Sequence, residues 1–260
     1  MNIVFLTADE PLYLPTFFAG LLEARSKDIC AVFTVRSRYG RDTTMQMLRK
    51  YRAAFGLWNL VRLGRRLLIA KLFDLLKVGR SRGCYYSVAS AAAAYGVYCE
   101  LVPDVNAESF RQALCDLNTD LIVSVSCPQL FHKSLIELPP LGCLNVHGAL
   151  LPKYRGIAPS FWMMVHGETR AGVTVFLVNE DIDAGDAVVV EGFDILPEES
   201  LHQFIVRSKR IARECLLRAI QMVQDGSVRT TPLNKEEGTY FGFPTREGYR
   251  NFRKRGRVLW

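Results

Sequence analysis

Short apolar runs alternate with amphipathic stretches along the chain, which is the pattern of strands and helices that follow one another. Nearly continuous apolar runs at 2–8, 29–35 and 121–126 predict buried parallel strands. Apolar residues at helical spacing from Pro11 to Arg25 predict a helix between the first two strands. A strand, a helix and a second strand form a right-handed crossover unit. The pattern therefore predicts an α/β protein with a Rossmann-like, doubly wound, mostly parallel sheet and helices on both faces.

The rest of the chain continues this alternation. Besides the strand that carries Asn145 and His147, it predicts helices at 87–95, 107–117 and 199–225 and strands at 97–102, 173–178 and 187–193. A chain of 260 residues can bury one full core. We therefore expect one main domain at 1–228, with an insertion at 36–86, and a short C-terminal appendage at 229–260.

The insertion at 36–86 departs from the alternation because it concentrates the basic residues. Between 36 and 82 there are thirteen lysines or arginines and two aspartates, whereas the whole chain has a net charge of +7. Its helical periodicity predicts a basic amphipathic helix at 57–78. The apolar side of this helix comprises Leu57, Val61, Leu68, Leu72 and Leu75, and the polar side comprises Asn59, Arg62, Arg66 and Lys77.

Three interpretations of the helix at 57–78 stay open. The apolar side can cover the core of its own domain, which we expect first, or it can contact a second subunit in a homodimer, or it can lie on an anionic membrane surface. The internal charges disfavour a transmembrane span. The continuous apolar side also disfavours nucleic acid as a partner.

Several classes of protein are disfavoured by composition and local sequence. The first residues lack the basic segment of a signal peptide. Seven cysteines without a CxxC pair are typical of core residues in a reducing compartment, so we expect a cytoplasmic protein, or one at the inner membrane face, and no metal. The turn at 7–10 lacks the glycines that bind a dinucleotide or a phosphate.

Candidate chemistry is concentrated between residues 142 and 186. Asn145 and His147 are two apart on a predicted strand, so their side chains share a face. Asp183 follows the apolar run at 173–178 in an acidic loop. An amide can donate to an oxyanion, an imidazole can transfer a proton, and a carboxylate can orient the imidazole. These three residues are therefore the candidate catalytic group of an acyl-transfer site.

The same segment resembles the catalytic half of the formyltransferases that use N10-formyltetrahydrofolate. The resemblance rests on the motifs Asn145-Val146-His147, Leu150-Leu151-Pro152-Lys153-Tyr154-Arg155-Gly156 and Asp183-Ala184-Gly185. It covers roughly residues 1–245 and is weakest at 36–86, and Gly148 stands where the family more often has proline, alanine or serine. It implies a formyltransferase fold, a catalytic domain at 1–228, and N10-formyltetrahydrofolate as co-substrate.

The resemblance also implies binding residues. Those for the folate are Gln129, Leu130, Val178, Asp181 and Ile182. Tyr154 and Arg155 are candidates for the substrate mouth, and Asp9 follows a strand at the edge of the sheet where α/β proteins bind ligands.

The acceptor amine is inferred by elimination. The segment after Gly238-Thr239-Tyr240 is short for the tRNA-binding domain of methionyl-tRNA formyltransferases, and the turn at 7–10 lacks the glycine-rich phosphate loop of the glycinamide ribonucleotide enzymes. We therefore expect an amino sugar on a nucleotide carrier. The alternatives are another small amine, hydrolysis of formyltetrahydrofolate, and a catalytically silent binding or membrane-docking protein.

Overall fold

A seven-stranded sheet forms the centre of the fold in the computed structural model, which describes residues 1–36 and 44–260. The strands of the chain are β1 (Ile3–Ala8), β2 (Ile29–Val35), β3 (Tyr98–Val102), β4 (Leu121–Val125), β5 (Cys143–His147), β6 (Arg155–Gly156), β7 (Arg170–Leu177), β8 (Ala187–Asp194) and β9 (Tyr240–Phe241). The helices are α1 (Leu14–Arg25), α2 (Thr44–Phe55), α3 (Leu57–Leu75), α4 (Val88–Ala94), α5 (Glu108–Asp116), α6 (Lys133–Ile136), α7 (Pro159–His166), α8 (Leu201–Gln224) and α9 (Arg246–Lys254).

The sheet confirms the predicted doubly wound architecture. Its order is β3-β2-β1-β4-β5-β7-β8. The first five strands in this order are parallel, and β7 and β8 are antiparallel additions. The predicted strand at 97–102 corresponds to β3 at one end of the sheet. β5 is therefore an inner strand of the sheet. Ligands of α/β proteins bind at the carboxyl ends of such strands.

Helices cover both faces because alternate residues of each strand point to opposite sides. Ile3 and Phe5 of β1 pack in one apolar cluster with residues of α1, α4 and α8. Val4 and Leu6 pack in a second cluster with residues of α5 and α6. The long helix α8 begins with a capping box, in which Ser200 and Gln203 bond to each other's backbone N–H.

The helix predicted at 57–78 is present as α3, but its orientation corrects our first interpretation. The five leucine and valine residues of its apolar side point to solvent, with exposed fractions that reach 78% at Leu75. Ala70 is buried on the opposite side of α3. Inward polar contacts fix this orientation, since Asn59 bonds to the Tyr249 hydroxyl and the Arg66 guanidinium lies 4.1 Å from the Trp260 ring centroid. The apolar side therefore does not cover the core of this chain. Residues 37–43 of the insertion lie outside the described residues.

The C-terminal segment packs back onto the rest of the chain. β9 pairs in parallel with β6. Phe252 of α9 packs in a third apolar cluster with Phe55 of α2 and Phe161 of α7. The Thr239 hydroxyl also accepts a hydrogen bond from the Tyr154 N–H. The predicted appendage therefore supports the loop that follows His147.

Of the helices that the structure describes, none is long and apolar enough to cross a membrane.

Candidate active site

Asn145 and His147 lie together on β5, between β4 and β7. His147 is 7% exposed. Its Nδ1 atom lies 3.6 Å from Asp183 Oδ2, and its Nε2 atom lies 2.7 Å from the Tyr154 carbonyl oxygen. The structure thus brings the imidazole and the carboxylate together, as the family resemblance implies.

The Tyr154 carbonyl determines which ring nitrogen of His147 carries hydrogen. A carbonyl oxygen only accepts hydrogen bonds, so Nε2 must be the protonated nitrogen of the neutral imidazole. Nδ1 is then the atom that can accept a proton, and it faces the Asp183 carboxylate. When Nδ1 is protonated, the imidazolium forms an ion pair with Asp183. The arrangement is therefore suited to receive and hold a proton at Nδ1.

Asp183 reaches His147 through the loop at 178–186. β7 runs antiparallel to β5, with Leu177 opposite Leu144, so this loop must return along β5 to approach His147. Asp183 Oδ2 accepts a hydrogen bond of 2.8 Å from the Gly156 N–H, which holds the carboxylate. The backbone of Asp183 has φ of +49°, a conformation that aspartate and asparagine tolerate better than most residues.

Gly185 makes the return of this loop sterically possible. A Cβ atom at this position would lie 1.7 Å from the Leu177 carbonyl oxygen. The Asn179 side chain bonds to the Ala184 carbonyl and to the Asp181 N–H, which ties the two halves of the loop together. The Asp-x-Gly motif therefore combines the carboxylate of Asp183 with a glycine that the path of the loop requires.

Buried polar groups hold the loop that follows His147. Thr174 on β7 is fully buried, and its hydroxyl donates to the Ala149 carbonyl and accepts from the Leu151 N–H. Gly156 has φ of +92° and lies against the Phe241 carbonyl, where a Cβ atom would be 2.4 Å away. These contacts fix the Tyr154 carbonyl and the Gly156 N–H, which in turn orient His147 and Asp183.

The amide of Asn145 is available to a ligand. Its residue is half-buried on β5, and its side chain forms no hydrogen bond within residues 1–36 and 44–260. A half-buried amide without a protein partner is unusual, because polar side chains in folded proteins are mostly bonded. Asn145 can therefore donate to an oxygen atom of a bound molecule.

The residues predicted to contact folate have varied surroundings. The Gln129 side chain bonds to Val105 N–H and to the carbonyls of Arg36 and Pro103, so it fastens the loop after β3 to the end of β2. Leu130 is 64% exposed, and its carbonyl accepts from the Asn106 side chain. The side chain of Gln129 and the carbonyl of Leu130 thus have partners within the protein, and their contact with folate stays a prediction.

The three folate candidates after β7 lie in or beside the 178–186 loop. Val178 packs against the apolar cluster of β1, α5 and α6. Ile182 is 38% exposed. Asp181 is exposed and forms an ion pair with Lys235 of the C-terminal segment. Their contact with folate stays a prediction.

Tyr154 differs from its predicted place at the substrate mouth. Its side chain is 8% exposed, stacks on Phe241, and donates its hydroxyl hydrogen to Glu168 Oε1 at 2.6 Å. Burial and the Glu168 carboxylate raise the pKa of Tyr154. The loop directs the Tyr154 ring into the third apolar cluster, which includes residues of α7 and α9. The aromatic surface of the ring is buried there. Tyr154 therefore orients His147 through its carbonyl, and its ring is a packing element.

Arg155 and Asp9 remain candidates for substrate contact. The buried Nε atom of Arg155 has no hydrogen-bond partner among the described residues. Asp9 is exposed directly after β1, at the carboxyl edge of the sheet. Both positions are compatible with a polar ligand, and their roles stay predictions.

Sequence reasoning did not single out Ser126 and Lys209, which meet next to β5. Lys209 on α8 donates to the Ser126 hydroxyl at 2.8 Å, and Ser126 follows β4 with φ of +53°. Burial lowers the pKa of Lys209 to about 8, although the nearby Glu10 carboxylate acts in the opposite direction. In the sequence, the only indication of this contact is that Lys209 lies on a mainly apolar side of its helix. The cluster adds a titratable amine at the carboxyl edge of the sheet.

Glu10 occupies the N-terminus of α1. Its carboxylate accepts hydrogen bonds from the backbone N–H groups of Leu12, Tyr13 and Leu14. Burial raises the pKa of Glu10, and these hydrogen bonds counteract the rise. The free N–H groups that bind phosphate at many helix N-termini are therefore taken by a side chain of this protein.

The described residues contain no group of three or more histidine, cysteine, aspartate or glutamate side chains that could hold a metal ion.

Part of the chain is similar to a known family of proteins. Residues 100–220 match the formyl transferase family. The matched range includes β5 and the 178–186 loop, and therefore all three candidate catalytic residues. The part of the chain that holds the site is thus similar to the formyl transferase family.

Curated relatives share this part of the chain. The methionyl-tRNA formyltransferase of Syntrophus aciditrophicus (strain SB) is 37% identical over 147 residues, which are 56% of this chain and 46% of that protein. The chain spans about half the length of the curated relatives that it matches.

Solved structures confirm the formyltransferase fold. Glycinamide ribonucleotide transformylase 1 from Symbiobacterium toebii is similar with a TM-score of 0.59 and 16% identity, over 90% of this chain and 94% of that chain. The N-formyltransferase from Helicobacter canadensis, in complex with folinic acid and dTDP-3-aminofucose, gives a TM-score of 0.59 and 14% identity, over 93% of this chain and 71% of that chain.

Proposed function

We propose that this protein transfers a formyl group from N10-formyltetrahydrofolate to a primary amine, and that the amine belongs to an amino sugar on a nucleotide carrier. The observation that carries the proposal is the pairing of His147 Nδ1 with Asp183 Oδ2 at 3.6 Å, in a segment that matches the formyl transferase family. On the same strand, the amide of Asn145 has no hydrogen-bond partner among the described residues. These are the donor, the proton carrier and the orienting carboxylate that acyl transfer requires.

In the proposed reaction the amine nitrogen attacks the formyl carbon, a new C–N bond forms, and negative charge develops on the formyl oxygen. The Asn145 amide donates a hydrogen bond to this oxygen. The ammonium group then loses a proton to His147 Nδ1, and Asp183 stabilises the imidazolium. As the bond from the formyl carbon to N10 breaks, the His147 imidazolium returns this proton to N10, so His147 is neutral again and the proton balance closes. The loss of one oxyanion donor typically costs about 2.7 to 4 kcal/mol of transition-state stabilisation.

The surroundings of β5 are compatible with a reduced folate. The segments after β4 and after β7 flank β5, and each presents an exposed apolar side chain, Leu130 and Ile182. Folinic acid is bound by the Helicobacter canadensis neighbour. We therefore assign the folate to the region between the 126–130 segment and the 178–186 loop.

Two considerations favour a nucleotide-linked amino sugar as the acceptor. Glu10 already binds the N–H groups of Leu12, Tyr13 and Leu14 at the start of α1, so these groups are not free for the phosphate of a glycinamide ribonucleotide. The Helicobacter canadensis neighbour, which binds dTDP-3-aminofucose, shares the fold over 93% of this chain.

Methionyl-tRNA is the second candidate acceptor. It is favoured by the curated relatives, which match at up to 37% identity and are methionyl-tRNA formyltransferases.

A panel of acceptors tests the proposal. The purified chain is incubated with N10-formyltetrahydrofolate and, in turn, with amino sugars on dTDP or UDP carriers, methionyl-tRNA, glycinamide ribonucleotide, or no amine. Tetrahydrofolate release is followed, and the formylated product is identified by mass spectrometry. We expect release only with a nucleotide-linked amino sugar. Release with methionyl-tRNA supports the second candidate, release without amine indicates a hydrolase, and no release under any condition contradicts an enzyme.

A further inference from the structure

The outer face of α3 is an exposed apolar feature that the proposed formyl transfer does not use. We define this face by its apolar residues Leu57, Val61, Leu68, Leu72 and Leu75 and its basic residues Arg62, Arg65 and Lys71. Their exposed fractions include 62% for Leu57, 68% for Leu68 and 78% for Leu75. Trp58 at one end of α3 is 77% exposed. Large apolar residues in such a row are uncommon on a protein that has no partner for them.

The charges on the outer face are all positive. Arg62, Arg65 and Lys71 are exposed and form no ion pair within the described residues. Asp74 is the only acidic residue of α3, and its carboxylate is turned inward, where it accepts hydrogen bonds from Ser87 and Ser90. The outer face therefore combines an apolar stripe with unpaired cations and lacks any anion.

The inner side of α3 is fastened to the domain, so the helix cannot rotate to bury its leucines. The Asn59 amide bonds to the Tyr249 hydroxyl at 3.0 Å, the Arg66 guanidinium lies over the Trp260 ring, and Arg80 pairs with Asp74 just beyond the helix. The domain thus holds the apolar stripe outward in a fixed orientation.

We propose that the outer face of α3 docks this protein on a membrane surface that contains anionic lipids. Apolar residues of an amphipathic helix insert at the boundary of headgroups and acyl chains, while flanking arginines and lysines contact anionic headgroups. Charge complementarity favours this occupant over a second copy of the chain, because two copies would bring identical cations together. The docking is independent of the acceptor that the active site uses.

Sedimentation with lipid vesicles tests the proposal on the full chain. We expect binding to vesicles of phosphatidylglycerol and phosphatidylcholine, and little binding to phosphatidylcholine alone. The triple variant Arg62→Glu, Arg65→Glu, Lys71→Glu should bind about a hundredfold more weakly, since each cation near an anionic surface contributes about fivefold. Salt at about 1 M should also weaken binding, because it shortens the screening length to about 3 Å.

Two further variants test whether vesicle binding depends on the outer face itself. They exclude an effect of the overall charge of the chain and an effect of lost folding. Arg210→Glu, Arg229→Glu, Arg246→Glu makes the same charge change at exposed positions elsewhere and should keep most of the binding. Leu68→Gln, Leu72→Gln removes apolar side chains that are 68% and 48% exposed, so it should weaken binding at least tenfold with little change in thermal unfolding.

Three results would overturn the proposal. The first is absence of binding to the anionic vesicles by the native chain. The second is equal loss of binding in the two triple variants. The third is a dimer in sedimentation velocity that Leu68→Gln, Leu72→Gln dissociates, because a second copy would then cover the outer face.

Discussion

Asp183 Oδ2 accepts a hydrogen bond from the Gly156 N–H at 2.8 Å while it lies 3.6 Å from His147 Nδ1. One carboxylate oxygen therefore links the loop that follows β5 to the loop that follows β7. The Tyr154 carbonyl binds the other ring nitrogen of His147 at 2.7 Å. The imidazole is thus held at Nε2 by a hydrogen bond, and the carboxylate next to Nδ1 is already in place to stabilise the charge when Nδ1 is protonated.

Asp183→Asn removes the charge of Asp183 and keeps its hydrogen bond, so it tests the two roles of this residue independently. Asparagine can still accept from the Gly156 N–H and tolerates the positive φ, so we expect unchanged thermal unfolding. Turnover should fall at least about a hundredfold, because the imidazolium of His147 loses its counter-ion. Asp186→Asn, at an exposed position of the same loop, is the matched control and should keep native turnover. Equal turnover in the two variants would remove Asp183 from the mechanism.

Gly185→Ala should damage the loop that carries Asp183. The new Cβ atom would lie 1.7 Å from the Leu177 carbonyl oxygen, so the backbone must move. We expect the free energy of unfolding to fall by about 1–3 kcal/mol, as in other overpacked sites, and turnover to fall with it. Denaturant unfolding measures the first effect. Gly64→Ala in α3 is the control, because no atom lies within 4 Å of its new Cβ and alanine favours a helix. A Gly185→Ala protein as stable as this control would disprove the steric argument.

Tyr154→Phe distinguishes packing from substrate contact. The variant leaves Glu168 without the phenol hydroxyl that donates to it at 2.6 Å. We expect the free energy of unfolding to fall by about 1–3 kcal/mol, with KM unchanged for both substrates. A raised KM at native stability would instead place the phenol in the substrate mouth.

Lys209→Met should change how stability depends on pH. In the folded chain the pKa of Lys209 is lowered from 10.5 to about 8, so the unfolded chain binds more protons between these two values. The contribution of Lys209 to the free energy of unfolding therefore rises as pH increases through this window. We expect the stability of the native chain relative to Lys209→Met to increase from about pH 7 to about pH 10 in denaturant titrations. A constant or falling difference would show that the amine is not desolvated by folding.

The sheet and the active-site pair could be predicted because their signals are local. Apolar runs define β1, β2 and β4, and the spacing of Asn145 and His147 places both on one face of β5. The approach of Asp183 to His147 was predicted only through the family resemblance, since β7 is antiparallel and the connection must reverse.

Two orientations could not be predicted from periodicity. An apolar stripe indicates that a helix is amphipathic, but it does not determine which side of the helix packs against the rest of the domain. In α3 the contacts of Asn59 and Arg66 with the C-terminal segment decide this, and those partners are remote in sequence. Tyr154 was misplaced for a similar reason, because Phe241 and Glu168 draw its ring into the interior.

The rate of tetrahydrofolate release by Asn145→Ala and His147→Ala, measured with the acceptor that the native chain uses, tests the proposed chemistry most directly. His132→Ala, at an exposed position, serves as the control, and thermal unfolding verifies that each variant is folded. We predict that both site variants turn over at least about a hundredfold more slowly than the native chain and the control. Near-native turnover in either folded site variant would contradict the assignment of formyl transfer to this site.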